Sequence, residues 1–101
     1  MTIAPGIEFP DAEIATVCRR YGIKELSIFG SAARGELRPE SDFDLLVEFL
    51  PEANVDLVDH FAAESELTKI LGRKVDLVSK RALRRALREE VFSDARTIYA
   101  A

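Results

Sequence analysis

The 101-residue chain, with 48% apolar and 32% charged side chains, suits one domain with one hydrophobic core. Its formal charge of −4 argues against broad nonspecific nucleic-acid binding, which draws on Lys and Arg at phosphates. A lone Cys18 excludes a disulfide framework and a Cys-based zinc site; no apolar run reaches membrane-spanning length and no signal peptide is visible, so a cytoplasmic protein is expected.

Residues 1–10 hold two of the four prolines and read as an irregular arm ahead of a single domain over 11–101. Asp11 is a candidate helix N-cap. Ile14, Val17, Cys18 and Tyr21 then recur at helical spacing until Gly22 stops the helix. Cys18 falls on that apolar stripe and reads as a buried core thiol. Lys24–Phe29 is the first expected strand. The polar stretch Glu36–Ser41, which carries Pro39, is expected to be a connection, and Asp42–Phe49 the second strand. Pro51–Asn54 reads as a turn. Val55–Leu71 is the longest expected helix, with Leu57, Val58, Phe61, Ala62, Ile70 and Leu71 on its apolar face and Gly72 as its cap. His60 has no second His or any Cys to join it as a ligand and reads as a surface or packing residue. Arg73–Ser79 is the third strand. Leu83, Ala86, Leu87 and Val91 suggest a final helix, broken near Ser93. On another face of it lie Arg81, Arg84, Arg85 and Arg88, a solvated stripe or a contact for a partner protein, RNA or triphosphate.

The chemistry concentrates in Ile28–Phe49. The first strand ends in Gly30-Ser31, the ten residues 32–41 intervene, and Asp42-Phe43-Asp44 opens the next strand. Residues i and i+2 of a strand share a face, so Asp42 and Asp44 should stand side by side. Two such carboxylates repel unless a cation intervenes, and hard oxygen ligands of this kind suit Mg²⁺. Gly30 lets backbone approach a ligand closely. Ser31 can cap a short helix over Ala32-Ala33-Arg34, whose N–H groups would face a phosphate. Arg34 opposes the dipole of that helix, a poor placement for an empty turn and a sensible one beside a triphosphate. Gly35 ends the turn.

Gly30-Ser31, ten residues, then Asp42-x-Asp44 resembles the motif of the polymerase-β-type nucleotidyltransferase superfamily. Within it, the chain resembles the minimal nucleotidyltransferases (MNT), small proteins paired with HEPN-domain toxins. The resemblance reaches to about Val78. It implies an α/β (α+β) fold, a small mixed β-sheet with helices packed on it. It also implies a Mg²⁺ site of two ions held by Asp42 and Asp44. Asp76, within Val75-Asp76-Leu77-Val78, reads by itself as a polar residue of a half-exposed strand. The resemblance makes it the third acid, completing the metal set and serving as general base. Gly30 and Ser31, with Arg34, would hold the triphosphate of ATP.

If Gly30-Ser31 and the acid pair serve one ligand, the first two strands should be antiparallel. Asp76 can join them if the third strand runs parallel to the second, with the long helix as a crossover. The resemblance implies transfer of AMP from ATP onto a hydroxyl of a partner protein. The expected role is that of an antitoxin which AMPylates a HEPN toxin, because little chain follows the third strand to bind an acceptor. Alternatives are a non-catalytic binding antitoxin, a nucleotide-sensing module, and a nucleotidyltransferase acting on a small-molecule acceptor. Glu48 shares the Asp44 face but lies further down the strand, outside the expected metal site.

Overall fold

The structure, a computed structural model, describes the chain except Met1, Pro5, Gly6, Leu37, Pro39 and Arg84; of residues 2–4 and 7 it describes the backbone alone. Apolar alternation builds its centre. Along β3 (Ile23–Phe29) and β4 (Phe43–Phe49), Leu26, Ile28, Leu45 and Val47 are all fully enclosed and share one face. β5 (Val75–Ser79) adds Val75 and Leu77 to it. α1 (Asp11–Tyr21) and α2 (Leu57–Leu71) cover this face, contributing Ile14, Val17, Cys18, Ala63 and Leu67 to the same cluster. Cys18 is thus the core thiol its position in the stripe implies, and burial pushes its pKa up to about 12.

β3 and β4 are antiparallel, with Phe29 opposite Asp44, and β4 and β5 are parallel, with Asp44 opposite Asp76. Both orientations are those required for the motif to meet. The sheet order is β5-β4-β3-β6, a small mixed sheet of the expected class. β6 (Arg96–Ala100) was not anticipated. It pairs antiparallel with β3 and buries Ile98. Its Arg-Thr-Ile-Tyr-Ala sequence carries strand-forming residues, but five residues with one inward position give little periodicity to read.

The segment expected to be an irregular arm is instead partly ordered. β1 (Thr2–Ala4) pairs antiparallel with β2 (Ile7–Glu8), and Thr2, Ile3 and Ile7 are β-branched residues that favour such pairing. Phe9 then buries itself edge-on against Phe43, ring centres 5.2 Å apart. Pro10, not Asp11, is the N-cap of α1; Asp11 and Glu13 occupy the first turn, where negative charge suits the helix dipole.

α2 corrects the expected apolar face. The helix starts at Leu57, behind a reciprocal cap in which Asp56 and Asp59 each accept the other's backbone N–H. Leu57, Val58 and Phe61 point outward, 73%, 74% and 59% exposed. The reason is a competing stripe. β5 is an edge strand, and His60, Glu64 and Thr68, spaced one turn apart, bond its backbone. His60 Nε2 lies 2.8 Å from the Leu77 carbonyl, Glu64 accepts from Leu77 N–H at 2.8 Å, and Thr68 Oγ1 accepts from Val75 N–H at 3.1 Å. These bonds, with Ala63 and Leu67 beside them, fix the helix rotation and cover polar groups that an edge strand otherwise presents to other chains.

The four-arginine stripe is also redrawn. A short 3₁₀ turn (Lys80–Ala82) follows β5, and Leu83 is extended and buried, which interrupts helical continuity. α3 is Arg85–Asp94. Arg81 therefore precedes the helix, Arg84 lies outside the described residues, and Arg85 and Arg88 remain on α3. Arg88 donates to the Leu83 carbonyl at 3.1 Å.

Replacing Glu64 by Ala should leave the Leu77 amide of the edge strand without its protein partner. A loss of about 1–3 kcal/mol in unfolding free energy is expected, measurable by urea denaturation. An unchanged midpoint would show that the α2–β5 bonds do not hold the helix in place.

Candidate active site

The motif residues converge at one end of the sheet. Gly30 closes β3 with φ +74°, a conformation that favours glycine. A Cβ built on it would stand 2.4 Å from Asp44 Oδ2, so the missing side chain is what admits the Asp44 carboxylate. Residues 31–36 form one hydrogen-bonded turn rather than the short helix expected. Glu36 N–H bonds the Ser31 carbonyl at 2.8 Å and Gly35 N–H the Ala32 carbonyl at 3.2 Å, with Gly35 at φ +74°. This pattern ends a helix, and here it closes the turn almost as soon as it begins. Pro39, in the connection that follows, lies outside the described residues.

Asp44 is the centre of the acidic group. It lies on the β4 face away from α1 and α2, directly across the parallel ladder from Asp76. Asp42 stands immediately before β4, not within it, with its side chain about half exposed (46%). Burial, then the Asp76 and Asp42 charges, raise the Asp44 pKa above the ordinary carboxylate value, and Arg34 acts in the opposite sense. The three carboxylates share a neighbourhood but not a closed cage. Among the described residues no three His, Cys, Asp or Glu side chains already meet as a metal-ligand set. Like charges repel, and a hard divalent cation is the species that draws oxygen donors of this kind together. The donor set therefore fits Mg²⁺.

Arg34 is engaged elsewhere. Its Nη1 meets Asp94 Oδ2 of α3 at 2.8 Å and its Nε meets Glu36 at 3.2 Å. Glu48 is likewise committed to cations, with Lys80 Nζ at 3.3 Å and Lys24 Nζ at 3.8 Å, in keeping with its place outside the acidic group. The Asp94 contact was not legible in the sequence, since 60 positions separate it from Arg34.

A family model described as a nucleotidyltransferase domain matches residues 13–99. The chain belongs to the nucleotidyltransferase family. It is 37% identical to the protein adenylyltransferase MntA of Thermococcus cleftensis, over 74% of each chain. It superposes on a solved structure described as that of a candidate minimal nucleotidyltransferase with TM-score 0.74, at 41% identity, covering 85% of this chain and 86% of that one. A structure of an AMPylated Shewanella oneidensis HEPN toxin in complex with an MNT antitoxin shares the fold at 19% identity, with TM-score 0.65, 90% of this chain covered and 70% of that one. The resemblance carried by the Gly-Ser and Asp-x-Asp residues thus extends beyond Val78, over residues 13–99.

Two substitutions probe the geometry. Gly30→Ala meets both the positive φ and the Asp44 oxygen, so it should cost about 1 kcal/mol or more in stability, read by denaturation. Asp44→Asn should have the opposite sign. A carboxyl whose folded pKa is raised is better protonated in the folded state, so its ionisation opposes folding as pH rises through the folded value. Asp44→Asn should therefore raise the melting temperature at pH 7, and the gain should fade below about pH 3.9, the ordinary Asp value. A variant less stable at pH 7 than at pH 3, relative to the parent, would contradict the assignment.

Proposed function

We propose that this chain, with Mg²⁺, transfers AMP from ATP onto a hydroxyl of a partner protein, and that the partner is a HEPN-type toxin which the chain neutralises as an antitoxin. The observation that carries the reading is that Asp44 stands against Gly30, opposite Asp76 across the parallel ladder and within electrostatic reach of Asp42. The likeness to MntA and to an MNT antitoxin crystallised with an AMPylated HEPN toxin supports the acceptor.

Asp42 and Asp44 would hold Mg²⁺, with Asp76 completing the set. Bound there, Mg²⁺ offsets the negative charge of the carboxylates and of the triphosphate. Gly30 and Ser31 present backbone and hydroxyl to the β- and γ-phosphates. Arg34 is the weaker phosphate contact, because the nucleotide must compete with Asp94 and Glu36 for it. The acceptor oxygen bonds the α-phosphorus, the bond from that phosphorus to the bridging oxygen breaks, and pyrophosphate leaves. Asp76 receives the hydroxyl proton as general base. Among the described residues no helix is long and apolar enough to cross a membrane.

Purified protein, a HEPN protein from the same source, Mg²⁺ and labelled ATP should give a HEPN chain heavier by AMP in mass spectrometry. Asp42→Asn/Asp44→Asn should abolish the transfer in a folded protein. Asp76→Asn should cut turnover about 10²–10⁴-fold while nucleotide binding persists. Ser31→Ala should be milder, since the backbone donors remain. Full transfer by the folded double variant would remove the enzymatic reading. Neutralisation of the toxin without any mass change would replace it with masking by contact.

A further inference from the structure

Of the three acids, Asp42 alone lies outside a strand, where no ladder sets its direction. Both of its peptide groups are nevertheless tied, and both to residues 73–74. On one side, Arg73 Nη1 donates to the Ser41 carbonyl at 3.0 Å and to the Arg38 carbonyl at 2.7 Å. On the other, Phe43 N–H donates to the Lys74 carbonyl at 2.9 Å. The Arg73 guanidinium carbon also stands 5.2 Å from the centre of the Phe43 ring, which Phe9 holds from another direction. Lys74 Nζ reaches to 4.0 Å from the Asp42 carboxylate. Asp76 follows on the same short segment.

The geometry points to Arg73 as a positioning residue of the metal site. From the bend that leads into β5, three residues before Asp76, it clamps the peptide that carries Asp42, and so sets how far apart those two carboxylates stand. This rests on the reading of Asp42 as a metal ligand. A guanidinium suits the task because one of its NH2 groups serves both carbonyls while its delocalised charge stands over the aromatic ring. Lysine can bond the carbonyls but cannot stack in that way, so it should restore only part of the effect. Partners that orient a ligand typically change metal affinity about 10–100-fold when removed.

The test is Mn²⁺ binding in the presence of a non-hydrolysable ATP analogue, read from the paramagnetic resonance signal of free Mn²⁺. It uses the parent, Arg73→Gln, Arg73→Lys, Asp42→Asn and the pairs Arg73→Gln/Asp42→Asn and Arg73→Lys/Asp42→Asn, each checked for folding by circular dichroism. Arg73→Gln should weaken Mn²⁺ binding at least about 10-fold, Arg73→Lys should fall between it and the parent, and Arg73→Gln should add nothing once Asp42 is Asn. Parental affinity in folded Arg73→Gln overturns the inference. So does an equal loss with and without Asp42, which marks a merely structural arginine. If Arg73→Gln does not fold, Arg73→Lys carries the same comparison: a loss that vanishes in the Asp42→Asn background supports the clamp, and parental affinity overturns it. Parental affinity in Asp42→Asn strikes the metal reading itself, and the clamp falls with it.

Discussion

A partly buried carboxylate, Asp44, set beside two others is the constraint on which this structure depends. Asp44 lies across the ladder from Asp76 and near Asp42, partly withdrawn from water, and each neighbour makes its ionisation harder. Such a group is a stability cost unless a cation joins it. The rest of the molecule reads as the means of holding it in place. The β3–β4 pair brings Gly30 to the Asp44 carboxylate, and only the absence of a side chain there leaves room. The parallel β4–β5 pair brings Asp76 into register, which requires the crossover through α2.

α2 has a second duty that follows from the first. β5 runs parallel to β4 and stands at the edge of the sheet, so its outer backbone groups have no strand to pair with. His60, Glu64 and Thr68 close that edge, and this polar ladder on the inner side of the helix turns Leu57, Val58 and Phe61 toward solvent. Holding β5 thus takes precedence over burying every apolar residue of the helix. A similar competition appears at Arg34, whose guanidinium is shared between Glu36 of its own loop and Asp94 of α3. Whatever displaces Asp94 from Arg34 loosens the link between the turn and the C-terminal helix.

The arrangement of the candidate site was legible in the sequence because its signal is local. Gly30, Ser31, Asp42 and Asp44 lie within one hairpin, and the need for them to meet dictates strand direction without further information. Asp76 followed from the same logic only with the family resemblance added, since Val-Asp-Leu-Val alone fits any half-exposed strand. The rest was hidden for physical reasons. Helical spacing marks Leu57, Val58 and Phe61 as an apolar face, but polar bonds to β5 decide the rotation of the helix. The short β6 has a single strongly buried position. Arg73 and Asp94 act through long-range contacts with backbone and side chain, and no periodicity announces such a contact. Leu83 breaks the arginine stripe because it is buried in an extended conformation, which its place in an otherwise helical pattern conceals.

The central claim is that the three acids form one cation site beside Gly30 and Ser31. Anomalous diffraction from crystals grown with Mn²⁺ and a non-hydrolysable ATP analogue tests it most directly. A Mn²⁺ peak bonded by the carboxylates of Asp42 and Asp44 is expected, with the triphosphate against Gly30-Ser31 and Asp76 facing the acceptor side. A nucleotide bound without Mn²⁺ at these acids, or Mn²⁺ held by a different set of residues, would contradict it.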